Sequence, residues 1–515
     1  MQDLTGGGPP RLSNITRIVF IPRGVKELHC EDETSTITRV NEAHPKPNVS
    51  NVKNPSGALL ATIGGIFRVK LTRGQPLASA SINAFLVYIV GAGLAYLAQP
   101  ITARVIGSES YGIYAYALAW VLSLASLSTL GFHVSLLRFI PAYRAKDEWS
   151  LARGVIRYSQ RIATGAGLVT MMIGSGAALM LNARVSQELL GTFLVGLAAV
   201  PIVALQLVSA AVVRGFGGVV VALVPERIIR DSLALGLLLI VLWSGLLRQS
   251  ATAAMAAMLT STTVTLIFVQ VSQRRLQPKE IAGVHPSYAK KAWLQTMLPL
   301  TATQLADNLM SRCGIIVLGM VGDTKSAGIF AVSFSMALLT ALPRLAVSTV
   351  FAPAVSDLFA RDDRSGLQAL VAKSAALSLA GTACAAIPLL VFTSPLLAWF
   401  GKDFVAGTDT VRILVLGQLF IAASGSQQHL LTMTGHEGVG AKLLTICAGL
   451  NFIGCLLTVV NYGMVGAAIA MTGSLIIWNI AMGVFLYRRL NLTPGLIAAS
   501  GLMRTKVKTE AEAPL

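Results

Sequence analysis

One apolar stretch of the sequence carries a row of polar and charged side chains. In QLADNLMSRCGIIVLGMVG and the residues just before it, these side chains recur at steps of three and four, so a helix places them on one face. The row consists of Thr301, Gln304, Asp307, Asn308, Ser311 and Arg312. An ionised side chain in hydrocarbon costs several kcal/mol, roughly 2.5–3.5 kcal/mol on insertion scales, so such residues need a reason to be there.

Two kinds of chemistry fit this row. Facing a cavity between helices, the side chains can bind an ionic or hydrogen-bonding ligand, because intramembrane charges commonly mark a pathway. Alternatively, the row is a polar clamp between packed helices. Arg312 lies near the middle of its run, and Asp307 is close enough to neutralise part of its charge. We predict that the row lines a cavity, with these binding residues: Gln304, Asp307, Asn308, Ser311 and Arg312.

A further candidate cation follows in the next apolar run. Arg344 shares a helix face with Ser333, Thr340 and Ser348, and Pro343 beside it predicts a kink. We include Arg344 among the cavity residues. The alternative is that it lies near the cytoplasmic interface and extends its charge into the headgroups.

Other polar residues favour structural roles. Gln427, Gln428 and His429 are consecutive, so they cannot share one helix face. Tyr111 and Tyr114 lie near a helix end, where tyrosines typically form an interfacial belt. The five cysteines have neither metal nor redox spacing, and we interpret them as small apolar residues.

The composition indicates which elements must position these side chains. The chain has 515 residues, 54% hydrophobic and 12% charged, with a mean hydropathy of +0.68. Soluble proteins average about 45–50% apolar and 25% charged residues, so the sequence predicts an all-α polytopic membrane protein. It contains about twelve, and at most fourteen, apolar runs near the ~20 residues that cross a bilayer. They begin near Ala80, Ile113, Tyr158, Leu189, Arg230, Ala251, Met297, Ser326, Ala375, Val411, Ala441 and Val465.

The net charge of +18 follows from the same organisation. Lys and Arg lie between apolar runs, where membrane proteins place them for topology, so no nucleic-acid partner is predicted. Alternate loops carry the richer set of cations: Arg144, Lys146, Arg153, Arg157, Arg227, Arg230, Arg274, Arg275, Lys279, Lys290, Lys291, Arg361, Arg364, Arg488 and Arg489. The positive-inside rule then places both termini in the cytoplasm.

The second half of the sequence repeats motifs of the first. VIGSESYGIYAYA reappears as MVGDTKSAGIFAVS, and FIPAYRAKD is echoed by FAPAVSDLFARDD. Gly107 matches Gly322 and Pro141 matches Pro353, at offsets of 215 and 212 positions. Two matches in order at nearly one offset indicate a duplication, and six helices per copy give both copies the same orientation.

The duplication leads to a predicted domain organisation. It comprises a disordered cytoplasmic tail, a six-helix lobe, a basic cytoplasmic linker, a second six-helix lobe and a cytoplasmic tail, over residues 1–75, 76–271, 272–291, 292–490 and 491–515. Two parallel-repeat lobes around a central cavity are typical of a transporter that alternates access. The sequence has no P-loop for ATP and no long outer loop for an enzyme site. No cofactor is predicted, and the coupling ion stays open.

With these features, the sequence resembles the MOP superfamily, specifically its polysaccharide transporter branch of Wzx-type oligosaccharide flippases. The resemblance covers roughly Ser79 to Leu490. It is carried by ARVIGSESYGIYAYALAW, LRFIPAYRAKDE, RCGIIVLGMVGDTKSAGIFAVSFSMA, LTMTGHEGVGAKLL and NYGMVGAAIA. Each motif alone is weakly specific, and their order along the chain indicates the family.

The resemblance implies a non-enzymatic flippase in the bacterial cytoplasmic (inner) membrane. Its substrate would be a polyprenyl-pyrophosphate-linked oligosaccharide for O-antigen, capsule or exopolysaccharide assembly, with membrane lipids, a glycan polymerase and export machinery as partners. Arg312 and Arg344 would compensate the pyrophosphate in a cavity of low dielectric. The alternatives are a multidrug or cation antiporter of the same superfamily, a peptidoglycan-precursor flippase, and a membrane-bound glycan polymerase or ligase.

Overall fold

A computed structural model describes residues 77–181, 186–243, 250–493 and 495. Within these ranges every regular element is a helix, which agrees with the all-α prediction. The predicted tails over 1–75 and 491–515 lie outside the described residues, apart from 491–493 and 495.

The first half of the described chain runs through eight helices: α1 Leu77–Ile106, α2 Ser108–Ser128, α3 Phe132–Ala145, α4 Trp149–Met180, α5 Gln187–Gly215, α6 Val219–Val224, α7 Arg230–Trp243 and α8 Ala251–Leu276. A π-helical turn, Pro225–Ile229, joins α6 to α7. Ser186 and Ser250 begin α5 and α8 because their hydroxyls accept from the free backbone N–H groups of the first turn.

The second half follows a short linker helix, α9 Lys279–Gly283. Its helices are α10 Lys290–Met320, α11 Thr324–Leu339, α12 Leu342–Ala360, α13 Arg364–Val391, α14 Thr393–Ala398, α15 Thr408–Ser424, α16 Gln427–Met433 and α17 Glu437–Leu490. A 3-10 turn, Lys402–Gly407, precedes α15.

Among the described residues, eight helices are long and apolar enough to cross a membrane. A ninth candidate joins α11 to the start of α12 across a bend of 46°. The row of polar side chains keeps α10 out of this set despite its 31 residues. Helix α17 has 54 residues, more than twice the number that a helix needs to cross a bilayer. It is broken at Gly463, which has a φ of +52°. The exact count of twelve and the division into six-helix lobes stay predictions.

The repeated motifs adopt matching local structure. Gly107 before α2 and Gly322 before α11 have φ values of +83° and +94°, a conformation that glycine adopts readily. In both halves the helix then ends, α2 after 21 residues and α11 after 16, and a second helix follows within three residues, α3 and α12 respectively. The sequence repeat is therefore also a repeat of helix, break and helix.

The two halves meet tightly where the Gly107 and Gly322 turns lie, which we call the glycine end. Here α2 packs against α11, and Tyr111 contacts Phe404 with 5.8 Å between ring centroids. The Ser108 hydroxyl donates to the Asp403 carboxylate at 2.5 Å, and Lys325 Nζ lies 3.3 Å from the same oxygen. Tyr111 is only 5% exposed, so its predicted place in an interfacial belt is wrong.

The opposite end of the bundle holds the linker between the halves, and we call it the linker end. Arg153 of α4 donates to the carbonyls of Ala282, at 2.9 Å, and Val284. Trp293, in the first turns of α10, is fully buried in an apolar cluster of the first half, and its indole N–H donates to the Tyr143 hydroxyl at 2.8 Å. The start of α10 is thus attached to the first half, although its later part packs with the second.

Candidate functional site

The polar row on α10 is compatible with a continuous helix because its hydroxyls bond locally. Thr301 Oγ1 donates to the Met297 carbonyl at 3.0 Å, and Ser311 Oγ donates to the Asp307 carbonyl at 2.8 Å. Such bonds satisfy the hydroxyls inside the apolar region without a partner from another helix. The amide and charged members of the row stay available for contacts beyond α10.

The two amide side chains of the row contact the first half of the chain. Asn308 Nδ2 donates to Ser126 Oγ of α2 at 3.2 Å and to the Gln304 carbonyl at 2.9 Å. The Gln304 side chain lies close enough to the ring of His133 on α3 to interact with it, and that ring also bonds Thr129 Oγ1 through Nδ1 at 2.6 Å. These bonds have the geometry of the clamp alternative, and a ligand-binding role for Gln304 and Asn308 stays a prediction.

The two charged side chains of the row belong to a charge cluster that both halves build. Arg312 is close enough to Asp307 and to Arg230 of α7 for their charges to interact. Arg230 Nε lies 2.8 Å from Asp231 Oδ1, and their side chains are 26% and 22% exposed. Arg230 and Arg312 repel each other across the boundary between the two halves. An anion bound between them would therefore lower the electrostatic free energy of the arrangement seen here. We call these four side chains the Arg312 cluster.

A second group of charges lies beside His133. Arg214 at the end of α5 and Glu226 in the π-helical turn both interact electrostatically with its ring. Arg214 Nε and Glu226 Oε2 are buried and have no hydrogen-bond partner among the described residues. Buried polar atoms normally have partners, so a water molecule or a ligand atom that bonded to these two atoms would lower their desolvation cost.

Arg227 extends the basic surface toward α1. Its guanidinium lies over the Tyr88 ring, 4.8 Å from the centroid, and its Nε has no partner among the described residues. The π-helical turn reaches α1 because residue 91 is glycine: a Cβ there would lie 2.6 Å from Arg227 Cβ. Gly91 therefore sets the position of Arg227.

Arg344 lies in the first turn of α12, next to the bend after α11. Its Nε is buried without a hydrogen-bond partner, and none of the ion pairs between described residues includes it. The charge of Arg344 also acts on the ring of His429, and a histidine has no negative charge that could compensate the arginine. Arg344 is thus an uncompensated cation inside the bundle, as a cavity residue for an anion would be, and its binding role stays a prediction.

The sequence interpretation missed the cations of the first half. Arg227 and Arg230 were expected in a cytoplasmic loop before a run that begins near Arg230. This prediction is wrong, because helix α6 starts already at Val219 and places both arginines inside a broken helix. The signal is the apolar stretch GGVVVALVP, whose last residue, Pro225, is typical of the end of a helix. Here the proline instead opens a π-helical turn.

Metal centres and reactive cysteines are two further kinds of site to consider among the described residues. No group of three or more His, Cys, Asp or Glu side chains that could hold a metal ion is present in the described part of the chain. Cys313 and Cys455 are buried with free thiols, which fits their interpretation as small core residues. Among the described residues, the interior charges considered for binding are those of the Arg312 cluster, of the group at His133, and of Arg227 and Arg344.

Comparison with protein families gives one match. The model of the family described as "Polysaccharide biosynthesis protein" matches residues 78–359, more than half of the chain. No curated protein matches the sequence.

Solved structures of transporters resemble the chain over most of its length. An inward-facing multidrug resistance MATE family transporter of the MOP superfamily has a TM-score of 0.64 at 15% identity, covering 82% of this chain and 96% of its own. The lipid II flippase MurJ, in an inward closed conformation, has a TM-score of 0.61 at 17% identity, covering 85% and 94%. A MOP superfamily transporter from Pyrococcus furiosus Vc1 (DSM3638), described as having a binding pocket of reverse polarity, has a TM-score of 0.58 at 16% identity, covering 80% and 95%. At these identities the likeness shows the fold alone, and this chain shares that fold with the three transporters.

Proposed function

The chain belongs to the polysaccharide biosynthesis protein family, and from this premise we propose that it flips a polyprenyl-pyrophosphate-linked oligosaccharide across the bacterial cytoplasmic membrane. The product would feed O-antigen, capsule or exopolysaccharide assembly. The fold supports transport, and a neighbour of that fold is named a lipid II flippase. Both termini would be cytoplasmic, and a polymerase and export machinery would take the flipped unit.

One observation carries the proposal: cations exceed acids in the interior of the bundle. The interior cations are Arg214, Arg227, Arg230, Arg312 and Arg344, and the acids beside them are Glu226, Asp231 and Asp307. Uncompensated buried charge is costly. A substrate that brings a pyrophosphate would supply the missing negative charge, and guanidinium groups bind phosphate oxygens through paired hydrogen bonds.

The position of the Arg312 cluster supports a role in alternating access. Arg312 belongs to α10, whose start is attached to the first half and whose later part packs with the second. Arg230 belongs to the first half. A pyrophosphate bound between them would be held by both halves at once, and separating the halves at that point would weaken its binding. No chemical bond is made or broken, so the reaction is transport rather than catalysis.

The test replaces Arg312 by Ala and by Lys in cells that contain no redundant relative of this protein. We expect Arg312→Ala to abolish polymer export with lipid-linked intermediates accumulating on the cytoplasmic side, and Arg312→Lys to restore part of it. Arg361→Ala is the matched control, because Arg361 is an arginine with a 70% exposed side chain that pairs with Asp357 on its own helix. Unchanged surface polymer and intermediates in a complete deletion strain would refute the flippase function.

The second candidate function is a multidrug or cation antiporter, which the MATE neighbour favours. A site for cations should present more acids than arginines, and the interior clusters have the opposite balance. Export of a cationic drug that depends on Asp307 and Asp231 would reverse this ranking. A glycan polymerase or ligase ranks lower because the longer connections needed for its active site are absent among the described residues.

A further inference from the structure

Three exposed arginines form a patch on the first half, near the linker end. Arg157 and Arg161 lie one turn apart on α4, and Arg274 lies in the last turn of α8. None of the ion pairs between described residues includes them, and the exposed Glu280 of the linker helix takes part in none of these pairs either. We call the three side chains the arginine patch. No ion pair with a described residue neutralises its charge.

A hydrogen bond between two glutamines joins α4 to α8 at the level of the arginine patch. Gln160 Nε2 donates to Gln273 Oε1 at 3.0 Å and to Ser209 Oγ of α5 at 3.3 Å. Gln273 is 7% exposed and Ser209 is fully buried. Each glutamine is directly followed in sequence by an arginine of the patch. The bond therefore brings the arginines of the two helices to the same level in front of α5.

The arginine patch lies on the outward side of this bond. An α-helix turns about 100° per residue, so the two arginines of α4 are about 60° and 100° around the helix from Gln160. The contact with α5 lies in the other direction, because Gly167, where a Cβ would be 2.7 Å from Pro201 Cα, is about 20° from Gln160. On α8 the arginine is about 100° from Gln273, and Val269, which packs in a cluster with α5, is about 40° the other way.

Apolar side chains continue both outward faces beyond the arginine patch. Leu168 follows Arg161 by seven residues and Ile267 precedes Arg274 by seven, so each lies on the same face, two turns or about 10 Å along its helix. Both lead away from the linker end, because α4 starts there and α8 ends there. Leu168 is 44% exposed and Ile267 is 58% exposed.

This surface is on the outside of the bundle. Both α4 and α8 pack against helices of the first half, whereas the Arg312 cluster lies where the two halves meet. On both helices the surface is cationic near the linker end and apolar about two turns further on. The same order, a charged headgroup followed by hydrocarbon, is that of a lipid in a bilayer.

We propose that this surface binds an anionic phospholipid of the leaflet at the linker end, an inference that goes beyond the proposed function. The phosphate would lie among the arginines, and the acyl chains would lie along Leu168 and Ile267. Guanidinium groups bind phosphate oxygens through paired hydrogen bonds, and basic pockets between membrane helices bind anionic headgroups. A zwitterionic lipid also brings a cation, which the arginines repel. A phosphate held by arginines of both helices would stabilise the packing of α4 beside α8.

The test measures lipid binding to the purified full-length protein by native mass spectrometry from a non-ionic detergent. Phosphatidylglycerol and phosphatidylcholine with identical acyl chains are titrated separately. We expect the wild type to bind phosphatidylglycerol at the lower concentration. Arg157→Gln/Arg161→Gln should weaken this binding roughly thirtyfold, equivalent to about 2 kcal/mol, and leave phosphatidylcholine binding unchanged. Arg157→Lys/Arg161→Lys keeps the charge and should keep most of the binding.

Arg361→Gln/Arg364→Gln is the matched control, because it removes two exposed arginines that pair with Asp357 and Asp362. It should bind phosphatidylglycerol like the wild type. Equal binding of the two lipids to the wild type would overturn the proposal, and so would a loss in the control as large as in Arg157→Gln/Arg161→Gln.

Competition distinguishes the sources of the phosphate. Inorganic phosphate should not displace phosphatidylglycerol at equal concentration, and displacement would show a site for free anions that does not use the acyl chains. Polyprenyl phosphate that displaces phosphatidylglycerol at much lower concentration would assign the surface to the transported lipid, against the proposal. Because the measurement uses no transport, it can fail while the flippase function stands, and it can succeed if that function fails.

Discussion

Gly112 of α2 and Gly328 of α11 occupy equivalent positions in the repeated motif and lie in direct contact. A Cβ added to Gly328 would lie 2.6 Å from Gly112 Cα, closer than real Cβ contacts come. On the other side, a Cβ on Gly112 would overlap the Thr324 carbonyl. The duplication thus brings the same glycine from both halves to one point, and the halves close there only because neither residue has a side chain.

Gly112→Ala and Gly328→Ala should each hold the halves apart at the glycine end. Overpacking of a tight contact costs about 1–3 kcal/mol, so we expect reduced polymer export and faster alkylation of a cysteine placed at Tyr111, which is buried in this contact. Gly93→Ala is the control, since a Cβ there meets nothing within 4 Å. Export and alkylation equal to those of Gly93→Ala would show that the contact is not needed for closure.

The contact between these glycines also shows what the sequence can and cannot predict. The repeat, the helical class and the polar row on α10 follow from residue types and their spacing. The meeting of Gly112 with Gly328 does not, because spacing along one helix does not specify which other helix it touches. The same limit applies to Trp293, which follows the linker in sequence and yet is buried in the first half.

The sequence predicts the interior cations of the second half of the chain but not those of the first half. Arg312 and Arg344 interrupt long apolar runs, so their burial cost is visible in the sequence. Arg227 and Arg230 follow Pro225, and a proline before two cations is the usual pattern of a loop. The π-helical turn that keeps them inside the bundle depends on tertiary packing, because it needs the close approach to α1 that Gly91 allows.

Arg344→Met should stabilise the protein while abolishing export. Arg344 is a buried cation without a compensating acid among the described residues, and replacing buried ionic groups by apolar ones is often stabilising by about 1–4 kcal/mol. We therefore expect a higher melting temperature in detergent and no surface polymer. Arg361→Met, at an exposed position, should change neither. A destabilised Arg344→Met protein would indicate that Arg344 holds the fold together rather than a ligand.

Asp363 should give the linker-end start of α13 a pH-dependent stability. The Gly366 N–H and the Ser365 hydroxyl, both donating at 2.8 Å, hold the pKa of Asp363 below its usual range. Because the folded pKa is the lower one, the stabilisation is present above the unfolded pKa of about 3.9. It disappears as the pH falls through the folded pKa.

Asp363→Asn should therefore lower the melting temperature at pH 7, and its difference from the wild type should shrink as the pH falls below about 4. Asp357→Asn, which removes the exposed ion pair to Arg361, is the control. Thermal unfolding in detergent over pH 3–7 measures both. A difference between Asp363→Asn and the wild type that stays constant with pH would contradict the assignment of the ionised carboxylate as the cap.

Asn308 and Arg312 lie one helical turn apart, and their roles should separate in a double-mutant cycle. If Asn308 is a clamp to Ser126, the two substitutions Asn308→Ala and Ser126→Ala are coupled in unfolding free energy. Hydrogen bonds between membrane helices average about 0.6 kcal/mol and reach about 1.7 kcal/mol, and we expect a value in this range because the bond is 3.2 Å long.

Export by Asn308→Ala should then fall only as far as protein level falls. In contrast, Arg312→Ala should lose export at full protein level, since its charge partners on both halves do not depend on the Asn308 bond. A cycle without coupling, together with lost export by Asn308→Ala, would assign Asn308 to the substrate instead.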